Sequence, residues 1–573
     1  MARRFVTWYR LEPPSLPVRH WLPQYERRWL RPDVIAAAAV WAVLVPEGIA
    51  YASLAGMPPA TGLFAALAPL LAYAVFGTCR QLTVGPSSAI AAYSAAAVAQ
   101  VALGDPTRFI ALSALLALLV GVLLLVAGLA RAGFIADFFA RPVLTGFVAG
   151  LALVIGVGQL SKLLGVEGGG TGFFGKLADL IPQLGGASLL TLAIGVASLA
   201  IIFALRAYAP KVPAMLVVVA LGIAAVAAFD LQDHGVAIVG AMPDGLPSLT
   251  FPSFRLSDVV DLLPDAFALA LICFAESVAG ARAIAAKHHY EVDADQELIA
   301  LGVANLGTGL LQGFTVDASL SRSAVADSSG VKTQLSNVVL LGLLVVTMLF
   351  LMPLFHDLPE AVLGAIVIAA VSHLVDVGAL RRLRRSDPTD FVLAVLCFAG
   401  VLVFGLLMGL AIAVIVSMLA LVYRAYRPTS AVLGRAPGAV DDERLRYRGI
   451  EDHPDCETFP GLVILRIDGE LFFANARWFR ETVRALVLDQ SPPVRELLVH
   501  VGAVPRMDTT AAAMLKELIP ELHEAGVELA FARATTGLIH DFERNGITGL
   551  VGEDRFYDTV AAGVDAFLSG ATA

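Results

Sequence analysis

Long stretches without a charged residue follow one another through most of this sequence. A helix needs about 20 mostly apolar residues to cross a bilayer, and several stretches reach or approach that length. The apolar fraction of the chain is 58% and only 16% of its residues are charged, against about 25% in a soluble domain. We therefore predict an α-helical polytopic membrane protein, with the bilayer as its solvent. The uninterrupted stretches are 109–130, 143–161, 187–205, 212–229, 337–355 and 361–375.

Further stretches are shorter or carry polar residues. When these are added, and the long run 391–423 is divided near Gly405 and Gly409, residues 33–426 contain about fourteen spans. Arg and Lys concentrate in alternate short connections, which is typical of the cytoplasmic side. This pattern places the N-terminal segment 1–32 and the C-terminus in the cytoplasm, with the protein in the plasma membrane, which is the inner membrane of a bacterium.

The tail after residue 426 has the charge density of a soluble domain. Its apolar residues predict short buried strands at 462–467, 497–501 and 527–532, alternating with amphipathic helices at 474–488 and 509–525. We predict a linker at 427–458, followed at 459–573 by a small cytoplasmic α/β domain with a partly parallel sheet.

Several other patterns argue against particular functions. The net charge of −9 offers no surface for nucleic acid. Four scattered cysteines form no metal-binding pair, and we expect neither a metal nor a cofactor. An acidic series at 291–297 could suggest the metal–diphosphate site of a membrane prenyltransferase. Its members are two residues apart, and that spacing cannot place four carboxylates on one helix face. We therefore interpret the acidic series Glu291, Asp293, Asp295 and Glu297 as a solvated cytoplasmic loop.

Two carboxylates lie in the middle of predicted spans. A charged side chain at the bilayer centre costs about 2.5–3.5 kcal/mol on insertion scales, so Glu47 and Glu276 need a reason to be there. Such residues normally face a polar cavity, pair with a cation or hold a proton. We predict that both carry protons in a coupled transport cycle. The alternative is a structural hydrogen bond between helices.

Two polar helix starts accompany these acids. Pro86 is suited to the first turn of a helix, and the free N–H groups after it, near Ser87 and Ser88, form a small anion site together with the helix dipole. Ser319, Ser321 and Arg322 could supply an opposing helix start with hydroxyl donors and one positive charge. The alternative for Arg322 is an interfacial arginine that extends to water.

The acids and the helix starts repeat along the chain. Glu47 precedes Ser87 by about 40 residues, and Glu276 precedes Ser321 by about 45. Interrupted segments at corresponding places in two halves indicate the midplane site of a transporter. The halves would be 33–230 and 260–425.

At these motifs the sequence resembles the SulP family, the sulfate permeases and related anion transporters. The resemblance implies a 7+7 inverted repeat with core and gate domains, a homodimer, and elevator-type alternating access. In the segment before Arg322, this chain has Thr315-Val-Asp317-Ala-Ser319 where the family usually has Pro-Val-Thr/Ser-Gly-Ser. The matching motifs include Pro46-Glu-Gly-Ile-Ala-Tyr51, Gly77-Thr-Cys-Arg80-Gln-Leu-Thr-Val-Gly85-Pro86, Arg141-Pro-Val-Leu-Thr-Gly146, Ser321-Arg322-Ser323 and Lys332-Thr-Gln-Leu-Ser336.

The tail resembles a STAS domain at Leu471-Phe-Phe-Ala-Asn475 and at Met507-Asp508-Thr509-Thr510. The resemblance implies roles in assembly and in binding a cytosolic regulator. Thr509 stands at a position that is phosphorylated in some relatives. A helix N-cap at Asp508 or Thr509 is the alternative.

These features predict a secondary active transporter of a small oxyanion, with sulfate the leading candidate and proton symport the driving force. Bicarbonate uptake, C4-dicarboxylate symport and chloride/anion exchange are alternatives with the same fold. The resemblance implies that bicarbonate relatives are sodium symporters with an Asp and a downstream Thr on the eighth span. Here Gly280 lies one turn after Glu276, which weakens a sodium site. A membrane enzyme acting on lipid-linked substrates and a signalling receptor are hypotheses from other classes. The enzyme would need an Asp-rich metal motif between spans, and the receptor would show no anion flux.

Overall fold

The computed structural model describes residues 16–134, 141–170, 172–209, 212–242, 245–372, 375–438, 446–487 and 493–570. They form two compact units, Met1–Ile415 and Val416–Ala573. Apolar helices make up the first unit, and the second has an α/β fold. The composition of the sequence predicts this division.

The first unit is helical with an apolar exterior. Six described helices are long and apolar enough to cross a membrane, and large side chains such as Leu189 and Phe350 are exposed, as expected of a lipid-facing surface. Each uninterrupted stretch of the sequence coincides with a helical segment to within a few residues. The helices are α1 Leu30–Leu54, α2 Thr61–Phe76, α3 Ser88–Ala102, α4 Pro106–Leu129, α5 Arg141–Leu164, α6 Gly172–Gln183, α7 Leu189–Tyr208, α8 Ala214–Phe229, α9 Leu256–Lys287, α10 Ala294–Leu310, α11 Leu320–Ser328, α12 Leu335–Val346, α13 Glu360–Val371, α14 Val377–Ser386, α15 Pro388–Phe404 and α16 Leu406–Tyr426.

Local sequence determines where these helices begin and end. Gly405 has a φ of +85°, which glycine adopts without strain, and it separates α15 from α16. The predicted division of the run 391–423 into two helices is confirmed. Asp105 begins α4, because its carboxylate accepts hydrogen bonds from the backbone N–H groups of Thr107 and Arg108 at 2.9 and 3.1 Å, the usual N-cap arrangement.

Two extended segments interrupt the helices of this unit. β1 (Val84–Gly85) precedes α3, β2 (Asp317–Ala318) precedes α11, and the two strands pair antiparallel. Non-helical backbone is tolerated at membrane depth only where the protein satisfies its hydrogen bonds. Asn305 on α10 does so before β2: its amide pairs with both the N–H and the C=O of Val316, each at 2.9 Å.

Side-chain amides serve the segment before β1 in the same way. Nδ2 of Asn337 donates to the carbonyl of Leu82 at 3.0 Å. Nε2 of Gln334 donates to the carbonyls of Cys79 and Leu82 at 2.7 and 3.0 Å. Buried amides on α10 and at the start of α12 therefore hold both strands in place.

Only part of the acidic series is the solvated loop that we predicted, because Glu291 and Asp293 are exposed before α10 whereas Glu297 lies within that helix. Asp293 caps α10 by accepting two backbone N–H groups of its first turn. Glu297 is fully buried, and its carboxylate accepts hydrogen bonds from the Tyr73 hydroxyl at 2.7 Å and from the backbone N–H and hydroxyl of Thr78 at 2.8 and 2.6 Å. A carboxylate with three donors can be buried, so Glu297 joins α10 to the end of α2.

The described part of the second unit contains a six-stranded sheet. Its strands are β3 Thr429–Arg435, β4 Tyr447–Gly449, β5 Leu462–Asp468, β6 Glu496–His500, β7 Glu528–Ala532 and β8 Phe556–Tyr557, and its helices are α17 Ala476–Val487, α18 Thr509–Glu524, α19 Thr536–Arg544, α20 Ile547–Val551 and α21 Val560–Leu568. The spatial order is β4-β3-β5-β6-β7-β8. β5 to β8 run parallel, and β3 is antiparallel to both of its neighbours.

The strands β5, β6 and β7 and the helices α17 and α18 confirm the pattern predicted for the tail. The segment 427–458 differs from the predicted linker, because β3 and β4 lie within it and complete the sheet. Leu433 and Tyr447 from these strands enter the core that α21 covers. Most of β3 is only partly buried, so its apolar signal in the sequence is weak.

Candidate anion-binding site

Two helices begin beside each other inside the first unit. Ser87 is the N-cap of α3, and Ser319 is the N-cap of α11. The strand pair places them together, since Gly85 pairs with Asp317 and the Ser319 N–H donates to the Thr83 carbonyl at 3.0 Å. Each start presents free backbone N–H groups and the positive end of a helix dipole, which attract anions.

Arg322 is the cation closest to these helix starts. Its side chain is fully buried, and Nη1 donates to Oε2 of Glu47 at 3.2 Å. Nε and Nη2 find no hydrogen-bond partner in the described ranges. Gly85 leaves room beside them, because a Cβ at this position would lie 3.3 Å from Nη2. Full burial excludes the interfacial position that was the alternative for Arg322.

Glu47 follows Pro46 within α1 and is buried together with Tyr51, one turn further on. Its ion pair with Arg322 joins α1 to α11 across 275 residues of sequence. The interhelical contact that was the structural alternative for Glu47 is therefore present. Because the partner is a guanidinium, the contact also connects the acid directly to the helix starts.

Glu276 on α9 lies deep in the protein, yet its side chain is partly accessible to water. Its acidic neighbour is Asp317 on β2, which is fully buried. Neither carboxylate oxygen of Asp317 accepts a hydrogen bond from a donor in the parts of the chain described.

Asp317 is not among the residues predicted for the site. An acid just before a helix start is commonly a capping residue, but here Ser319 occupies the cap. Its hydroxyl accepts from the backbone N–H of Arg322 at 3.4 Å and lies 3.1 Å from the hydroxyl of Ser321. The signal for Asp317 was the replacement of a small polar residue by an acid within the matching motif.

The predicted serines divide into two groups. Ser319 has a structural partner as the N-cap, whereas the buried hydroxyl of Ser87 has no partner among the residues described. Ser88 is buried at the start of α3 and Ser321 is partly exposed in the first turn of α11. Ser323, which the prediction omitted, donates to the Ser319 carbonyl at 2.7 Å and accepts from the Thr83 N–H at 3.0 Å.

Acids outnumber cations around these helix starts. Glu47, Glu276 and Asp317 carry three negative charges when ionised, and Arg322 carries one positive charge. A second cation, Arg206, acts on Glu47 from further away. Removal of some of this negative charge would favour the entry of an anion.

Thr509 lies in the second unit, at the exposed first position of α18. Asp508 is the N-cap of this helix: its carboxylate accepts from the backbone N–H of Ala511 at 2.8 Å and from that of Phe473 at 2.8 Å. The capping role therefore belongs to Asp508, and Thr509 is accessible.

Residues 30–397 match the model of the sulfate permease family, and residues 453–563 match that of the STAS domain. The chain belongs to the sulfate permease family. The resemblance seen in the motifs is thereby confirmed. Members of the family are multi-pass membrane transporters, so this permease transports anions and is not an enzyme.

Curated relatives agree with this assignment. The permease is 38% identical over 562 residues to a probable sulfate transporter of Mycobacterium tuberculosis, covering 97% of this chain and 99% of the relative. It is 32% identical over 595 residues to the chloroplastic sulfate transporter 4.1 of Arabidopsis thaliana, covering 99% and 84% of the two chains.

Solved structures share the fold of the permease. The murine Slc26a9 anion transporter in the inward-facing state superposes with a TM-score of 0.90 at 22% identity, over 99% of this chain and 97% of that one. The transmembrane domain of the cyanobacterial bicarbonate transporter BicA has a TM-score of 0.59 at 21% identity, over 69% and 98% of the chains. At these identities the likeness concerns the fold alone.

Proposed function

We propose that this permease is a secondary active transporter of a small inorganic oxyanion, with sulfate favoured, driven by protons. The observation that carries the proposal is the unpaired part of the Arg322 guanidinium. Its buried Nε and Nη2 have no hydrogen-bond partner in the described protein, and they lie at the junction of two helix starts. Unpaired buried donors are costly, and an oxyanion supplies the missing acceptors. The names of the relatives favour sulfate among the oxyanions.

Glu47 would couple the proton to the anion. An anion beside Arg322 competes with the Glu47 carboxylate for the same guanidinium. A proton on Glu47 removes this competition and one negative charge. Proton and anion therefore bind more tightly together than either binds alone, and the effect is reciprocal. Glu276 would act in the same direction, because its charge repels an anion at the helix starts.

The transport movement would carry the paired helix starts across the bilayer. In this proposal about fourteen spans form a 7+7 inverted repeat, and a core domain holding α3 and α11 shifts against a gate domain in an elevator-type cycle. The protein would be a homodimer in the bacterial inner membrane with both termini in the cytoplasm. Its STAS domain would contribute to assembly and bind a cytosolic regulator, with Thr509 as the site of phosphorylation.

The test is sulfate uptake into proteoliposomes under an imposed proton gradient, with and without a sodium gradient. We expect proton-driven accumulation by the wild type. Glu47→Gln should transport at a rate that responds less to the gradient than the wild type does, while Asp261→Asn, an exposed acid on α9, should behave as wild type. An unchanged gradient response in Glu47→Gln would refute the coupling.

Competition with bicarbonate, a C4-dicarboxylate and chloride in the same assay tests the substrate. We expect sulfate to be taken up in preference to all three. Preferential uptake of one of the others would replace sulfate by the corresponding alternative. Absence of any anion flux from correctly inserted protein would contradict the proposal as a whole.

A further inference from the structure

Asp317 is an acid that the proposed cycle does not yet use. It lies on β2 opposite Gly85, two residues before the N-cap of α11. Its carboxylate is fully buried, and both oxygens lack a hydrogen-bond donor within the described ranges. A buried carboxylate in that position is unfavourable unless it takes up a proton or pairs with a cation.

Glu276 is positioned to share that proton. Ala318 follows Asp317 and Ser277 follows Glu276. The Ala318 N–H donates to the Ser277 hydroxyl at 3.0 Å, and this hydrogen bond joins the two segments that carry the acids. The two carboxyl groups therefore lie on adjacent backbone segments, and each acts on the other electrostatically. When both carboxyl groups are ionised, they repel each other and neither can donate a hydrogen bond. When one of them holds a proton, it can donate a hydrogen bond to the other.

Among the residues described, no cation is dedicated to the pair. Arg322 is the positive group that acts on Asp317, but its hydrogen bond goes to Glu47. Ser87 lies near Asp317 at the start of α3, and its neutral hydroxyl acts on the carboxylate without reaching the geometry of a hydrogen bond. Cys273, a thiol, lies one turn before Glu276 on α9. Tyr51 on α1 faces Glu47 rather than the pair.

We propose that Asp317 and Glu276 form a carboxyl pair that binds one transported proton, separate from the proton on Glu47. The inference rests on the proposed proton-coupled transport and adds a second proton to it. Ser87 lies beside Asp317 and is itself the start of α3, so an anion bound at the helix starts lies next to the pair. Its charge holds the proton on the pair, and its departure lets the proton leave.

The charges of this cycle balance for a divalent oxyanion. One proton from the outer solution forms an O–H bond with a carboxylate oxygen of the pair, and a second binds Glu47. Both protons are released to the cytoplasm after the anion. Two protons and one sulfate carry no net charge, so wild-type uptake should not depend on the membrane potential. Without the proton of the pair, each cycle would move one negative charge inward.

The decisive measurement is the ratio of proton to sulfate flux in proteoliposomes whose membrane potential is clamped. We expect two protons per sulfate for the wild type and one for Asp317→Asn, whose amide can donate to Glu276 without a proton. Glu276→Gln should also give one, and the double variant should again give one, because both changes affect the same proton. Asp261→Asn should keep two.

Several outcomes would overturn the carboxyl pair. These are a wild-type ratio of one, an unchanged ratio in either single variant, a lower ratio in the double variant than in both singles, or a sodium dependence that Asp317→Asn abolishes. If Asp317→Asn does not insert, Glu276→Gln and the wild-type ratio still decide. Absence of proton-driven uptake in the wild type would instead refute the proposed function.

Discussion

Two buried acid–arginine pairs, one in each unit, differ in what surrounds them. In the membrane unit Arg322 donates to Glu47 at 3.2 Å, and both side chains are removed from solvent. In the STAS unit Arg555 donates to the buried Glu496 at 2.9 Å, keeps 15% of its side-chain surface exposed, and has a second acid, Glu528, at 3.9 Å. Arg555 therefore keeps water and two acids as partners, whereas Arg322 leaves two nitrogens unpaired.

The difference indicates what each pair is for. Burying a charge is costly unless its hydrogen bonds are made elsewhere. In the STAS pair Arg555 limits this cost by keeping contact with water, although Oε1 of Glu496 has no hydrogen-bond partner among the described residues. The membrane pair carries the cost in full while its remaining donors face the starts of α3 and α11. Such an arrangement suits a group that exchanges its partner during a cycle.

Removal of each arginine should give the largest difference between the two pairs. We expect Arg322→Ala to lower sulfate uptake by about 100-fold or more with normal insertion, because truncating one partner of a buried charge pair costs about 2–5 kcal/mol. Arg555→Ala should leave uptake within about twofold and destabilise the STAS unit by about 1–3 kcal/mol through the unpaired Glu496. Initial uptake rates and hydrogen exchange of β6 measure the two effects. Near-normal uptake by Arg322→Ala would contradict the site.

The space beside Arg322 can be tested by narrowing it. A Cβ on Gly85 would lie 3.3 Å from Nη2, so Gly85→Ala should crowd the position where the anion binds. We expect the KM for sulfate to rise by about 10-fold, the equivalent of about 1.4 kcal/mol. In Gly449→Ala the new Cβ meets only Ala431 at 3.5 Å, which makes it a matched control. Equal KM values for both variants would show that the unpaired nitrogens face no ligand.

The sequence predicts the two helix starts, but it does not predict which buried side chains pair beside them. Pro86 and the serines mark α3 and α11 through local capping and turn preferences, which a single sequence shows directly. The contact between Glu47 and Arg322 spans 275 residues, and no local pattern encodes it. The departure from the family motif marks Asp317 in the sequence, but only strand pairing shows that it lies opposite Gly85.

Long-range partners also explain the other differences. Glu297 is part of an acidic run that resembles a solvated loop, and only Tyr73 and Thr78 from another part of the chain make its burial possible. Asn305 and Asn337 are single amides within apolar helices. Their role appears only when the extended segments that they satisfy are in view.

Glu496 should make the STAS pair respond to pH. Burial raises the pKa of its carboxyl above the ordinary value of 4.5, and Arg555 opposes this only in part. A raised pKa in the folded state means that the stabilising contribution is complete below about pH 4.5 and is lost as the pH rises through the folded pKa. Hydrogen-exchange protection of β6, corrected for intrinsic rates, should fall over this window.

A second acid, Glu521, contributes a pH dependence of the opposite sign, so the wild type alone does not show the effect of Glu496. The variant Glu496→Gln isolates that effect. Hydrogen bonds from Arg484 and Arg480 lower the pKa of Glu521, so its contribution is lost as the pH falls. The difference between wild type and Glu496→Gln removes that background. A pH profile of β6 protection that is the same in both proteins would rule out Glu496 as its origin.

The smallest effect separates the two residues at the start of α18. Asp508→Ala removes an N-cap, which costs about 1 kcal/mol, and also leaves the Phe473 N–H without its acceptor. Thr509→Ala changes an exposed side chain and should stay within about 0.5 kcal/mol. Local protection of α18 by hydrogen exchange measures both. If Thr509→Ala weakened α18 as much as Asp508→Ala, the threonine would share the capping role. Its phosphorylation would then disturb the helix start instead of only adding charge to an accessible surface.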